Sequence, residues 1–438
     1  MTGAPHSVLP HPRDPAWWCV LIPLAFGIAA AWRLGLPSQP YFDEVHYVPA
    51  AREVLRWWQT GQGGWLNPEH PPLGKYMIAL GMALLGDNAV GWRITPLIAG
   101  IVAVGAAMRA LWYASENRFA CVALGVLLAS GFPLLVHARI AMLDIFMAGF
   151  LLVAAWQLAA ACRQPETGRW RLALTGVMLG LAMASKWNAA PLAMVPGLTF
   201  LAIRASAGRR RLLLSRRGAP VPGITLVEAF VWLGLVPLGV YALAFLPAYQ
   251  MGTFLRPSLV SEYGLIGAQF EMLRLQSSVI EPHTYMSQWP QWVLNTRGIW
   301  YLYEFADGAQ RGVLLIGNPL TMLAGLPALL WVAWRGASQR SAAMIACVIG
   351  YGVSLGMWVI APKPVQFYYH YLMPSTFLLA ALALALADLR SHPRFGWVAY
   401  GLLAGSLVMC AVFYPILTAA PLAGEMSFTK WMWVEGWN

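Results

Sequence analysis

Charge is what this 438-residue sequence has least of: only 11% of its residues are Asp, Glu, Lys or Arg, against 59% hydrophobic residues. Globular soluble domains carry about 25% charged residues, so the scarcity excludes an ordinary soluble domain, and the hydrophobic content excludes a disordered chain. Acids are rarer than bases, 18 against 29, and lysine occurs only at Lys75, Lys186, Lys363 and Lys430. Cysteine is sparse as well. Cys19, Cys121, Cys162, Cys347 and Cys410 are scattered through apolar runs with no CxxC spacing, which indicates neither a disulfide framework nor a zinc site and reads as small buried hydrophobes. Low-complexity tracts, linkers and internal repeats are missing too, which leaves a single membrane domain over residues 1–438.

What the chain has instead is apolar runs long enough to cross about 30 Å of hydrocarbon. Eleven spans are expected, near 17–36, 92–109, 119–136, 141–161, 171–186, 187–204, 226–246, 312–334, 342–360, 366–388 and 396–417. The run 75–86 is too short to span comfortably and reads as a re-entrant or interfacial helix. Arg-bearing connections at Arg109/Arg118, Arg163/Arg169/Arg171, Arg204 to Arg217, Arg335/Arg340 and Arg390/Arg394 fall in every second loop. This positive-inside pattern predicts a multi-pass cell (inner) membrane protein with a cytoplasmic N-terminus and the tail Thr418 to Asn438 outside. The first run lacks a small-residue cleavage site and reads as a retained helix. The net charge of +11 is thus explained by topology. The cluster Arg209, Arg210, Arg211, Arg216 and Arg217 is expected to meet anionic lipid headgroups and not nucleic acid.

Two outward segments, 37–74 and 248–310, are too long for simple turns and are read as external loops that carry function. The same side collects most of the unusual ionisable residues: Asp43, Glu44, His46, Glu69, His70, Lys75, Arg139, Asp144, Lys186, Glu262, Glu271, His283, Arg297, Glu304, Lys363 and His370. Charges at membrane depth are costly and persist mainly where they pair or line a polar cavity.

Asp43 and Glu44 follow the first membrane exit and precede an expected amphipathic helix, Tyr47 to Trp58. Asp43 is either the cap of that helix or a general base whose pKa an acidic neighbour raises. Glu69, His70 and Lys75 cluster around three prolines at the depth of a lipid phosphate, as a structural turn or a binding segment. Arg139 and Asp144 bracket the next return, either as a salt bridge or with the arginine fork holding a phosphate or an acid. Lys186 ends another outward helix, by snorkelling or by function. Trp289, Trp292, Trp300, Tyr301 and Tyr303 either stack on sugar or peptide or anchor the second loop at the headgroups.

FDEVHY, PEHPPLGK, ARIAMLD and ASKWN, in this order and spacing, resemble the protein O-mannosyltransferase family, and EPHTYMSQWPQWVLNTRGIWYLYE, GNPL and FYYHYLMP extend the likeness over residues 41 to 376. The resemblance implies an all-α polytopic membrane protein with the glycosyltransferase class C fold. It implies a short prokaryotic form, since only about sixty residues stand in the second loop. Asp43 would be the catalytic base with Glu44 beside it, Arg139 would belong to an essential arginine motif, and the HPPLGK segment would seat the donor. His283, Tyr285, Arg297, Lys363 and His370 fall in or next to the later motifs and join the expected substrate-binding set. The implied donor is a polyprenyl-phosphate sugar, typically mannose. The implied acceptor is a hydroxyl of a secreted or membrane protein, attacked with inversion and without a nucleotide sugar.

No metal is required by this scheme and none is predicted, although Glu69, His70 and His283 are a set that could meet around a divalent ion. The sequence departs from the family where Glu69 stands directly before His70, where Gly298 replaces an expected proline, and at His283-Thr284-Tyr285. Competing readings are a lipid A or glycolipid transferase resembling the aminoarabinose transferases, a secondary transporter, and a non-catalytic lipid-binding or assembly protein. Transporters usually show matching halves and mid-membrane charges, which this sequence does not.

Overall fold

The computed structural model describes residues 13–64, 66–207, 212–252, 257–278, 280–361 and 363–438, with side chains for all of these except 257–263. Arg209, Arg210, Arg211 and the Glu262 side chain lie outside the described residues. The helices run α1 (Trp18–Ala31), α2 (Glu44–Thr60), α3 (Leu73–Leu85), α4 (Ala89–Ser115), α5 (Arg118–Ala129), α6 (Pro133–His137), α7 (Leu143–Arg163), α8 (Gly168–Ser185) and α9 (Ala190–Ser206). There follow α10 (Leu226–Phe230), α11 (Val236–Ala244), α12 (Leu246–Gln250), α13 (Pro257–Ser277) and α14 (Trp289–Val293). A hairpin of β1 (Ile299–Ala306) and β2 (Ala309–Leu315) then leads to α15 (Pro319–Gln339), α16 (Ala342–Ile360), α17 (Leu372–Arg390) and α18 (Gly396–Leu417).

Eight helical segments among the described residues are long and apolar enough to cross a membrane: Ala89–Ser115, Leu143–Arg163, Trp187–Ser206, Leu226–Gln250, Pro319–Gln339, Ala342–Ile360, Tyr368–Arg390 and Gly396–Leu417. The other three expected spans fall on α1 and α5, which are shorter, and on α8, whose first turn carries Arg169 and Arg171. The run expected to cross at 119–136 is broken. Phe132 takes a left-handed φ of 76° and Pro133 opens the separate helix α6, so the chain turns after Ala129. The span expected from residue 312 begins only at Pro319, because residues 309–315 pair antiparallel with β1. Asn318 caps the start of α15 by accepting from the Leu320 N–H.

Small residues set the closest approaches. A Cβ on Gly176 or Gly180 of α8 would stand 2.0 Å from the Trp232 carbonyl or 2.6 Å from that of Pro237. This pair at four-residue spacing lets α8 lie directly against the 226–250 rod, as small-xxx-small helix faces do in membranes. The most enclosed spans are α17 and α7, and they carry Asp144 and His370 or their immediate neighbours to the end of the bundle where both long loops lie. Across that end Ser38 of the first loop bonds Asp307 of the hairpin through its N–H at 2.9 Å and its hydroxyl at 2.5 Å. The tail closes over the hairpin. Trp437 Nε1 donates to the Asn295 carbonyl, and its own carbonyl accepts from Trp300 Nε1.

Candidate active site

The first loop leaves α1 and turns into α2 through Phe42, a non-glycine residue with φ of 51°. Left-handed backbone at a bulky residue needs surrounding support. Here the Phe42 ring stacks on Tyr301 of β1 with centroids 4.0 Å apart. Asp43 follows as the residue before α2, and its side chain makes no capping hydrogen bond, so the capping reading does not apply. Its electrostatic neighbours are Lys186, Asp144, His46 and Lys363. Burial pushes the Asp43 carboxyl above the usual carboxylate range and Asp144 adds to this, against the pull of Lys186, His46 and Lys363.

The like-charged partner of Asp43 is therefore Asp144 and not Glu44, as the adjacent acids suggested. Glu44 points the other way into the protein. Its two oxygens receive Arg93 Nε at 2.8 Å and Nη2 at 2.7 Å, with both side chains fully buried. The same carboxylate accepts the Ala141 N–H at 2.9 Å and the Tyr41 N–H at 3.3 Å. Arg93 spends its remaining donors on the carbonyls of Leu34, Pro37 and Gln39. The pair thus ties the first loop, α4 and the turn before α7 into one unit beneath Asp43.

Arg139 was expected to hold an acid or a phosphate. Instead it donates to the carbonyls of Ala30, Trp32, Arg33 and Thr418, which are the orphan acceptors where α1 and α18 end. Asp144 pairs with Lys186, Nζ to Oδ2 at 2.6 Å, not with Arg139. Lys186 Nζ also lies 5.0 Å above the Tyr369 ring.

A cavity of about 310 Å³ opens beside this pair, lined by His70, Lys186, Asn188, Gln276, Lys363, Tyr369 and His370 among polar and aromatic groups and by Leu273, Met357 and Trp358 among apolar ones. Burial and the nearby lysines, Lys186, Lys75 and Lys363, hold His70 well below its ordinary pKa, so it enters the cavity as a neutral donor and acceptor. Burial likewise pushes Lys363 down to about 8. Trp358 packs tilted against His370 with centroids 3.7 Å apart, and the Phe367 N–H donates to His370 Nδ1.

Lys75 is close by in sequence yet serves the loop itself. Its ammonium donates to the carbonyls of Asn67 at 2.5 Å and His70 at 2.7 Å, shaping the proline-rich turn that presents His70. Glu69 turns its Oε2 inward, without a protein donor among the described residues. His283 is exposed and accepts the Tyr285 N–H, while Arg297 donates to the Thr284 carbonyl, so these three bind one another's loop and do not line the cavity. Glu69, His70 and His283 do not gather: among the described residues no three His, Cys, Asp or Glu side chains come together as a metal site.

Sequence reasoning missed Arg93, Trp358 and Gln276. An arginine inside an otherwise apolar run was a usable signal for Arg93. Gln276 and Trp358 carry no local mark, and only the fold brings them to His70 and His370.

Comparison with known proteins covers most of the chain. Residues 69–234 match the family model described as dolichyl-phosphate-mannose-protein mannosyltransferase. Residues 262–437 match the C-terminal four-transmembrane region of protein O-mannosyltransferase. A Mycobacterium tuberculosis polyprenol-phosphate-mannose–protein mannosyltransferase is 27% identical over 460 residues, covering 91% of this chain and 87% of the relative. A Pseudomonas aeruginosa undecaprenyl phosphate-alpha-4-amino-4-deoxy-L-arabinose arabinosyl transferase is 30% identical, over only 38% of this chain and 32% of its own length. In fold, the S. cerevisiae Pmt1-Pmt2 complex bound to the sugar donor superposes with a TM-score of 0.80 at 14% identity, covering 96% of this chain and 92% of the yeast chain. That likeness establishes the glycosyltransferase class C architecture. Two family models in chain order, a relative matching over most of both chains and the shared fold agree with the motifs around Asp43, His70 and Lys186: this chain belongs to the protein O-mannosyltransferase family.

Proposed function

We propose that the protein transfers mannose from a polyprenyl-phosphate donor to a Ser or Thr hydroxyl of a secreted or membrane protein, with inversion at the anomeric carbon. The observation that carries this reading is the division of charge around one cavity: Lys186, Lys363 and neutral His70 on its wall, and the raised carboxyl of Asp43 as the electrostatic neighbour of the two lysines. In the reaction the acceptor oxygen bonds to C1 as the bond from C1 to the phosphate oxygen breaks. The hydroxyl proton goes to Asp43, and the negative charge stays on polyprenyl phosphate, where the two lysines and a His70 N–H stabilise it. Asn188 lines the cavity, and its Oδ1, without a protein donor among the described residues, is an acceptor for a sugar hydroxyl. Glu44 acts through position and not on the substrate. The scheme needs no metal ion.

The membrane setting supports the reading, since a polyprenyl chain lies naturally among apolar helices beside the cavity. With the arginine-bearing loops in the cytoplasm, the N-terminus is cytoplasmic and the site opens on the extracytoplasmic face of the cell membrane.

The test is transfer in proteoliposomes, using purified protein, radiolabelled polyprenyl-phosphate mannose and a membrane-and-secretome extract. Label in protein, lost in Asp43→Asn, is the expected outcome. Label in glycolipid only would move the assignment to the aminoarabinose-type reading. No transfer from any lipid-linked sugar would overturn it.

A further inference from the structure

The cavity is lined by spanning helices, by the loops joining them and by one element of another kind, α13. The described part of α13 is two-faced. Ala268 and Met272 are fully buried, whereas Ile266, Phe270 and Leu273 are 72%, 70% and 55% exposed. Three large apolar side chains at i, i+4 and i+7, of which Leu273 also lines the cavity, are presented outward as on a helix that lies in a lipid interface.

The flank between the exposed and the buried face carries two glutamines seven residues apart. Gln269 Oε1 accepts from the Tyr241 hydroxyl at 2.5 Å, and that hydroxyl accepts from Trp187 Nε1 at 2.8 Å. Gln276 reaches farther. Its Nε2 donates to the Glu69 carbonyl at 2.7 Å and stands 3.1 Å from His70 Nδ1, while its Oε1 accepts from Lys363 Nζ at 3.1 Å. One carboxamide thus links the proline-rich turn of the first loop to the loop between α16 and α17, using its donor on one and its acceptor on the other.

We propose that Gln276 is a positioning residue for the lipid-linked donor, clasping His70 and Lys363 across the cavity while α13 rests its Ile266/Phe270/Leu273 face on the acyl chains from which the donor arrives. The inference rests on the donor cavity of the proposed function. Lys363 is a flexible four-carbon cation, and a single bond to Gln276 fixes its ammonium while leaving its other hydrogens for phosphate. Removing the clasp loosens donor binding without touching the base that takes the hydroxyl proton.

The experiment uses the full chain in nanodiscs, with polyprenyl phosphate for equilibrium binding and polyprenyl-phosphate mannose for kinetics. Gln276→Ala is expected to raise the lipid Kd and the donor KM about tenfold, the scale of losing hydrogen bonds to charged and buried groups. kcat should stay within about twofold, since no transition-state contact is lost, and the acceptor KM should not change. Gln276→Glu keeps the size and the acceptor toward Lys363 but has no N–H for Glu69 and His70, so it gives a smaller rise and reads the clasp should the alanine variant fold poorly. Arg274→Ala, which removes only an exposed pair with Glu271, should bind as the parent does. Parent protein that binds while both Gln276 variants bind equally well overturns this inference alone. Equal losses in kcat and acceptor KM also overturn it, since they mark a general structural role. A parent that binds no polyprenyl phosphate overturns it together with the proposed function.

Discussion

Glu44 and Arg93 form a fully buried two-pronged ion pair that joins the first loop to α4, directly beneath Asp43. Breaking one partner of such a pair leaves an uncompensated buried charge and costs about 3–5 kcal/mol. Arg93→Met should therefore lower the thermal midpoint strongly, and Glu44→Gln should lower it less. In the double variant part of the loss should be recovered, because neither charge is then left alone. Unfolding of all three in detergent, arranged as a double-mutant cycle, measures the coupling. Additive losses would show that the two residues do not act as a pair.

Two explanations compete for Arg139, the arginine that the family resemblance implies to be essential. Its guanidinium is committed to four backbone carbonyls at the ends of α1 and α18, a pattern an ammonium cannot reproduce. Arg139→Lys is expected to lose activity and thermal stability together, with donor affinity in the surviving folded fraction unchanged. A variant with parental melting but a raised donor KM would place Arg139 on the phosphate instead.

Much of this was legible in the sequence because membranes enforce simple rules. Charge scarcity and apolar run length indicated a polytopic chain, and the motifs around Asp43, His70 and Lys186 named residues that lie around one cavity or beside it. What the sequence hid was direction. Asp43 and Glu44 are adjacent, yet at the start of a helix successive residues point about 100° apart, so one has Lys186 and Asp144 as electrostatic neighbours and the other meets Arg93. Arg139 and Lys75 look like phosphate ligands by type, but carbonyls at broken helix ends and a proline-rich turn take their hydrogen bonds first. Residues 312–315 of the second strand read as the start of a span because an apolar run has no period to distinguish strand from helix.

Asp43→Asn should reduce kcat by about 10²–10⁴-fold, the usual worth of a general base. The amide keeps the shape of the side chain, so polyprenyl phosphate binding should remain within about twofold, as expected when only a transition-state interaction is lost. Because burial raises the carboxyl and the ionised form is the base, activity should fall on acidification at a higher pH than an ordinary carboxylate would give. Stopped transfer with intact lipid binding is the signature. Undiminished transfer by the variant would remove Asp43 from the chemistry.

Lys363 sets the alkaline limit. Burial, helped by the Lys186 charge, pushes it down to about 8, so it is protonated and able to hold phosphate below that pH and becomes neutral as pH rises through it. The donor kcat/KM, which reports the free enzyme, should therefore fall above about pH 8 by up to tenfold per unit. The limb should be weaker in kcat, because the bound phosphodiester monoanion keeps the ammonium charged. Lys363→Arg retains its charge throughout this range and should remove the limb even if its absolute donor affinity is lower. A pH profile from 6 to 10 on both proteins decides the matter: persistence of the same alkaline fall in the arginine variant would assign it to another group on the cavity wall.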